Sequence, residues 1–534
     1  ERGDLVSFRS IRNQIQRAIV KLKSTFYRSK IAAMKNSNPG SWHRQIRSLA
    51  GLSKRTSYSF PDDFGMSHSQ QANHINDFFA GICSELPALD TTTSPAYLPA
   101  RRPPPDIQRF RVFQALKKLN PSKAIHPEDT PVRLIREFAL EISAPLSAIF
   151  NSILKSGSFP SRWKCSVVTP VPKTYPVRSC SDLRPISITP IFSRVFEGFI
   201  SLYLMRDLTP HLDNRQFGNI KGSSTTHYLV SLVDTILKGL DRPGYCASLC
   251  TIDFSKAFDR VNHNIVIRKL FTYGVNEAVL QTATSFLTDR TQAVRVGSCI
   301  SEERHLTWGV PQGTKLGPLM FLALVNDAAH DIEHHWKYVD DLSLLEIRTT
   351  SAPPKLQDHL NELENWSKDN DMKFNTTKSN AMSVNFTKRN INTPCLRLND
   401  EPLKTTESQK ILGVHLQSNL KWDKQVGDIV SRAGKRVFMI SRLRKASVPI
   451  CDLVNIYSSY IRPLLEYSSP LWSPSITANQ YNDIEKIQKR VCRIIMKDQY
   501  VSYDHALEHL SICRMSERHE QLLDSFARSL LKSP

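Results

Sequence analysis

The stretch HWKYVDDLSLLE, residues 335–346, sets two aspartates side by side, Asp340 and Asp341, within a run of apolar and β-forming residues. A strand buries alternate faces, and a buried carboxylate without a partner is costly. Two adjacent carboxylates also repel each other unless something positive lies beside them. The pair is therefore either a turn tip held in water or a place where metal ions bind. The flanks HHWKYV and LSLLEI predict a β-hairpin with Asp-Asp as its turn. Taken alone, Asp-Asp is an ordinary turn.

A second acidic position changes the balance. In ASLCTIDFSKAFDRVNHNIVIRKL, residues 247–270, the run from Ser248 to Phe254 predicts a buried strand ending at Asp253. Residues 257–270 predict a helix, with apolar positions at 258, 261, 265, 266 and 270. Asp253 then sits at a strand-to-helix junction, where a side chain can reach solvent. Three carboxylates on two adjacent strands make a hard oxygen site suited to Mg²⁺. Two such ions about 3.5–4 Å apart clamp the attacking and leaving oxygens of a phosphoryl transfer. Between the acidic positions lies LTWGVPQGTKLGPLMFLALVND, residues 306–327. Gly309 and Gly313 allow a backbone to approach a ligand closely, and Gln312 offers an amide to a sugar or base. The plainer reading is a set of turn residues before a helix.

Charge points to the partner. Lys and Arg number 71 against 50 Asp and Glu, a net +21, with pI near 9.5. Such a balance suggests a polyanion, nucleic acid before membrane. Residues 1–60 carry 13 basic against 2 acidic residues, a local +11, and residues 421–497 carry 14 against 6, a local +8. The alternative for either cluster is a solvated helix face. The 10 cysteines are scattered with no C-x-x-C pair, as in a reduced intracellular protein. Cys492, His505, His509 and Cys513 could suggest zinc, but the four-residue steps fit a packed helix face better. The apolar runs, such as PLMFLALV at 318–325, are too short to span a bilayer. No signal peptide is evident, and a first residue of Glu suggests a piece of a longer product.

The chain divides into a basic helical extension and linker (1–106, the linker at 86–106), a mixed region (107–420) holding the unusual local sequences, and a mostly helical tail interrupted at Pro449, Pro463, Pro470 and Pro474. The ordered set DFSKAFD, GVPQGTKLGP, YVDD, MKFNTTKSNAMSVNF and ILGVHL resembles the reverse transcriptase of non-LTR, LINE-type retrotransposons, nearest the Jockey-like branch. Upstream, PVPKTYPVRSCSDLRPISITPIFSRVFEGFI (170–200) and QFGNIKGSSTTHYL (216–229) resemble fingers motifs of that family. The tail segments SRAGKRVFMISRLRKA, YSSYIRPLLEYSSPLW and IEKIQKRVCRIIM resemble its thumb.

The resemblance implies an α+β right-hand polymerase fold: fingers at 107–235, palm at 236–420, thumb and helical C-terminal region at 421–534, with the core at about 150–420. It implies an RNA-directed DNA polymerase that extends a DNA primer on an RNA template with dNTPs, using two Mg²⁺ ions, for which Mn²⁺ can substitute. Asp253 and Asp340 would hold the ions with the backbone carbonyl of Phe254, and Asp341 would coordinate less directly. Phe258 would exclude a ribose 2′-hydroxyl. Gln312 and Gly313 match the loop near the incoming nucleotide. Lys173 and Arg184 match triphosphate-holding positions, where arginine can bind bidentately. Lys378 matches a lysine proposed as proton donor to pyrophosphate, and Leu412, Gly413 and Val414 match the primer-grip turn. The chain departs from the family at Asn219 and Ile220, where an aromatic and a basic residue are usual, and at Ser223, where arginine is common. This implies a weaker template grip. A nuclease is expected upstream of Glu1. Action in the nucleus, and assembly with RNA in the cytoplasm, would follow. A catalytically decayed nucleic-acid-binding remnant is the alternative from another class. An RNA-copying RNA polymerase and an intron maturase are lesser ones: Phe258 opposes the first and the tail opposes the second.

Overall fold

The computed structural model describes residues 2–51, 65–83, 88–90, 102–386 and 395–531. Most of the expected linker, residues 86–87 and 91–101, lies outside the described residues. Among these the strands are β1 (Cys165–Pro172), β2 (Leu183–Ile188), β3 (Tyr245–Asp253), β4 (Arg290–Val296), β5 (Cys299–Ile300), β6 (Arg304–Leu306), β7 (His335–Tyr338), β8 (Asp341–Thr349), β9 (Asn380–Val384), β10 (Arg397–Leu398), β11 (Glu401–Pro402), β12 (Lys404–Thr405), β13 (Ser408–Ile411) and β14 (Val414–Gln417). The architecture is mixed α and β.

The central sheet has the order β12-β9-β3-β8-β7, with β3 antiparallel to both β8 and β9. Its middle strand, YCASLCTID, is apolar almost throughout because both faces are covered, as strands buried on two sides require. The period of two sends alternate residues into different cores. Cys250 and Ile252 face a core built with the helices Ile191–Leu208, His263–Thr272 and Leu316–Val325. Ala247 and Leu249 face another, built with Thr225–Leu240, Asp423–Lys445 and Ala478–Met496. Burying each large side chain of these cores is worth about 1.5–3 kcal/mol, so the sheet is held from both sides. The helix LGPLMFLALV is apolar all round and is buried accordingly.

A second sheet, β2-β1-β4-β5 with β6 beside β4, has β1 parallel to β4 and antiparallel to β2. The helix His68–Ile82 packs on it through Ile75 and Phe79. Asn76 Nδ2 donates to Glu302 O at 2.8 Å and to Ser301 Oγ at 3.0 Å.

The basic N-terminal segment divides in two. Along Arg2–Phe26, Phe8, Ile11, Ile15 and Leu22 are exposed beside Arg9, Arg12 and Arg17. Tyr27, Ile31, Trp42, Ile46 and Leu49 are instead buried in the same core as the Asp423–Lys445 helix. Tyr27 Oη and Lys35 Nζ both bond Asp452, and Arg442 donates to Ala50 O at 3.0 Å. Cys492 lies in that core, where burial pushes its thiol up to about 12. His505 and His509 stack on each other at 5.9 Å between ring centroids, and Cys513 is exposed.

One helix expectation fails. Residues 257–260 form a 3₁₀ turn, and the helix begins afresh at His263. The Asn262 side chain accepts from the backbone N–H groups of Asn264 (2.8 Å) and Ile265 (3.3 Å), a cap that restarts the helix. Phe258 is therefore on a turn and not on the helix that follows.

Candidate active site

Asp253 is the last residue of β3 and stands directly opposite Asp341, the first residue of β8. Both belong to the face that Thr225–Leu240 covers further along, where Tyr228 Oη donates to Ser343 Oγ at 2.6 Å. At the strand ends that cover stops and the carboxylates reach the surface. Tyr338 pairs with Asp341, so the two-residue turn is Val339-Asp340 and not Asp-Asp. Asp341 is in the strand, one place later than its sequence suggests.

Val339 has φ +60°, which a β-branched residue adopts only when its surroundings force it. The Gln216 side-chain oxygen accepts from Val339 N at 3.3 Å and Gly218 N at 2.8 Å. Gly218 lies so close that a Cβ there would meet Val339 N at 2.5 Å. Beneath the turn, Lys337 is buried. Its Nζ is 2.5 Å from Asp213 Oδ2 and donates to the carbonyls of Asn326 (2.6 Å) and Ala328 (2.8 Å), just past the Leu316–Val325 helix. His335 Nε2 is 2.6 Å from the same Asp213 oxygen. This buried ionic knot ties the strand before Asp340 to the helix end and to the loop at 213–218.

The three carboxylates are electrostatically coupled. Burial raises the Asp340 carboxyl and Asp253 raises it further, against Arg184 and Lys378. Partial burial, then Asp340 and Asp253, push the Asp341 carboxyl up to about 6. The Asp341 side chain is nonetheless solvent-facing, so repulsion by its two neighbours is the part of that shift the geometry accounts for. Asp253 Oδ2 is buried with no hydrogen-bond partner, and Lys378 Nζ lies 3.5 Å from it. Repelling hard oxygens with one orphaned among them fit a divalent cation of the Mg²⁺ kind. Among the described residues no three or more His, Cys, Asp or Glu side chains are drawn together closely enough to hold a metal ion as they stand.

The other expected residues are engaged to different degrees. Arg184 on β2 is exposed and has no hydrogen-bonded partner among the described residues. Lys173 Nζ donates to Ser181 O at 2.9 Å, and desolvation with nearby Lys378 and Arg184 lowers its pKa. Phe254 is buried and bridges Phe374. Phe258 stacks on Phe321, centroids 4.9 Å apart, and packs against the core. Gln312 Nε2 donates to Asp259 Oδ1 at 2.8 Å, so its amide is engaged within the protein. The loop it belongs to is stitched in place. Ser187 N donates to Gln312 O at 2.7 Å, Val310 N donates to Phe258 O at 2.8 Å, and a Cβ at Gly313 would meet Ser187 O at 3.0 Å. Leu412 and Gly413 form the turn between β13 and β14, with Ile411 opposite Val414.

Sequence reading missed Asp213, Gln216, Lys337 and Asp259. Lys337 carried a signal: a lysine amid apolar residues in a strand one step from the aspartates is a buried charge that needs a partner.

Residues 171–416 match the family described as "Reverse transcriptase (RNA-dependent DNA polymerase)". The chain is 29% identical over 368 residues to the "Probable RNA-directed DNA polymerase from transposon X-element" of Drosophila melanogaster, covering 66% of this chain and 39% of that protein. It is 26% identical over 525 residues to the one from transposon BS of the same species, covering 91% and 56%. To the "RNA-directed DNA polymerase from mobile element jockey" of Drosophila melanogaster it is 25% identical, covering 76% and 45%. The chain thus spans about half the length of these curated relatives. A solved telomerase from Candida albicans aligns over 94% of this chain and 96% of that one, at 11% identity and a TM-score of 0.40.

Proposed function

We propose that this chain, whose residues 171–416 match a reverse transcriptase family, is an RNA-directed DNA polymerase of the non-LTR retrotransposon kind, joining dNTPs to a primer 3′-hydroxyl on an RNA template. The observation that most supports this reading is Asp253 opposite Asp341, with Asp340 at the adjoining turn and Arg184 and Lys378 facing them.

The central sheet would be the palm (236–420), the second sheet and the helices around it the fingers (107–235), and 421–534 the thumb. Asp253, Asp340 and the Phe254 carbonyl would hold two Mg²⁺ ions, with Asp341 at their edge. When bound, such ions activate the 3′-hydroxyl and stabilise charge on the leaving pyrophosphate. Arg184 and Lys173 supply positive charge where a triphosphate would lie, and Arg184 has its guanidinium free to bind two phosphate oxygens. Lys378, 3.5 Å from Asp253, would give a proton to the departing pyrophosphate. Phe258 presents a ring that a ribose 2′-hydroxyl would clash with. Gln312 acts on the nucleotide through the shape of its loop, since its amide holds Asp259, and Gly313 keeps that loop close to β2.

Exposed basic residues of Arg2–Phe26 would contact RNA phosphates; no helix among the described residues is long and apolar enough to cross a membrane. A target in genomic DNA would place the reaction in the nucleus.

Primer extension on an RNA template tests the reading. Incorporation of dNTPs and not NTPs by the parent, with NTPs admitted by Phe258→Val, is the expected result. Template and primer bound without extension would instead identify a decayed binding remnant, the reading favoured by Asn219, Ile220 and Ser223.

A further inference from the structure

Three segments remote in sequence meet at one phenol. The Tyr467 O–H donates to Leu412 O at 2.7 Å. Having one proton, it accepts from Thr225 Oγ1–H at 3.1 Å, at the start of the Thr225–Leu240 helix. Leu412 has φ +45° and Gly413 φ +88°. Both central residues in the left-handed region give the turn geometry that suits a tight hairpin, but Leu reaches it only under constraint. Gly413 is favoured on a second ground, since a Cβ there would crowd the Tyr467 ring at 3.3 Å.

Tyr467 is itself fixed. Its carbonyl accepts from Trp472 Nε1 at 3.0 Å, and Trp472 is fully buried with its ring edge-on to His519. The next residue, Ser468, has φ +50° and is buried, with Oγ 3.2 Å from Thr226 Oγ1. The phenol is thus anchored from the 465–472 side and partly open to solvent at its ring, 39% exposed. An exposed hydroxyl so rigidly mounted adds little to folding, yet it sets the carbonyl direction of a strained turn.

We propose that Tyr467 is a positioning residue: it locks the Leu412-Gly413 turn in the shape that receives the primer strand, and couples that turn through Thr225 to the helix covering the central sheet. This rests on the reading of 412–414 as a primer-holding turn.

The test is single-nucleotide extension by the full chain, varying primer–template and dNTP separately. Tyr467→Phe should raise the KM for primer–template severalfold, up to roughly tenfold, with the dNTP KM within about twofold and the thermal midpoint lowered by no more than about 2–4 °C. Thr225→Val should shift primer KM in the same direction, by less. A Tyr467→Phe enzyme with the parent's primer KM overturns the proposal, as does an equal rise in both KM values. The underlying reading fails separately: a parent that does not extend sinks the polymerase function, and a Gly413→Val variant with unaltered primer KM sinks the primer turn.

Discussion

Two hairpin turns in this protein share one structural problem and answer it with different means. Val339-Asp340 joins β7 to β8, and Leu412-Gly413 joins β13 to β14. Each forces a non-glycine aliphatic residue to positive φ, +60° at Val339 and +45° at Leu412. Such a conformation costs on the order of 1–3 kcal/mol and persists only where the surroundings over-determine it. Val339 is held from within: Gln216 and Gly218 press on it, and the buried Lys337–Asp213 pair anchors the strand before it. Leu412 is held from the side by a partly exposed tyrosine. The first clamp is dry and ionic, suited to a turn that carries a carboxylate. The second is a single neutral hydroxyl on a turn that offers backbone only. If the proposed roles hold, the turn that carries the carboxylate is expected to tolerate less movement than the one that offers backbone alone.

The largest break in the comparison comes from the carboxylate itself. Asp340→Asn should lower primer extension by about 10³-fold, the several kcal/mol a metal-holding group supplies, with an unaltered thermal midpoint. Extension within tenfold of the parent would remove Asp340 from the catalytic set.

Next in size is the ionic anchor. Lys337→Met leaves buried Asp213 with His335 as its remaining side-chain partner and should cost about 3 kcal/mol, read as a lower urea midpoint. The acid dependence of that midpoint gives a second check. Burial alone would raise the Asp213 carboxyl, but His335 and Lys337 outweigh it and hold the group well below the ordinary range. A carboxyl depressed in the folded state contributes stability above its unfolded pKa of about 3.9 and loses it as pH falls toward the folded value. The parent's midpoint should therefore drop from about pH 5 downward, and the drop should be shallower in Lys337→Met. Parallel acid curves would show that Asp213 draws nothing from Lys337.

A smaller effect is expected at the clamp. Gly218→Ala places a methyl 2.5 Å from Val339 N and should cost about 1–3 kcal/mol. Extension should fall more than dNTP affinity, because Asp340 moves with the turn. Smallest is Val339→Gly. Relief of the left-handed strain and the added freedom of the unfolded chain oppose each other, so the midpoint should move by under about 1 kcal/mol. A loss of several kcal/mol would mean that the valine side chain, and not its clamps, holds the turn.

Local sequence made several elements readable. The strand expected from Ser248 to Asp253 is present, as part of Tyr245–Asp253, because a continuous apolar run can lie only between two covered faces. The Leu316–Val325 helix follows its glycine- and proline-rich turn for the same reason. The hairpin was readable but its register was not. Asp340 and Asp341 are chemically alike, and only the pairing of Tyr338 with Asp341 decides which one is in the turn. The helix start at 263 was hidden because residues 257–270 keep a helical apolar spacing, while one asparagine cap overrides it. Gln312 looked free to meet a ligand until Asp259, 53 positions away, was found to hold its amide.

By itself the sequence determined which chemistry is available: three acidic groups at strand ends, arginine and lysine near them, a net charge of +21, and ordered motifs of one family. These depend on residue type and near neighbours, which a linear string records. The tertiary structure alone decided which face the carboxylates share and what holds the turns at 339 and 412. It also decided that residues 27–50 belong to the core beneath the Asp423–Lys445 helix, while the helix before them stays exposed. Those outcomes come from partners such as Gln216, Asp213, Thr225 and Tyr467, each 55 or more positions from the turn it serves. No local pattern marks such a partner, because its energy exists only once folding has brought the two segments together.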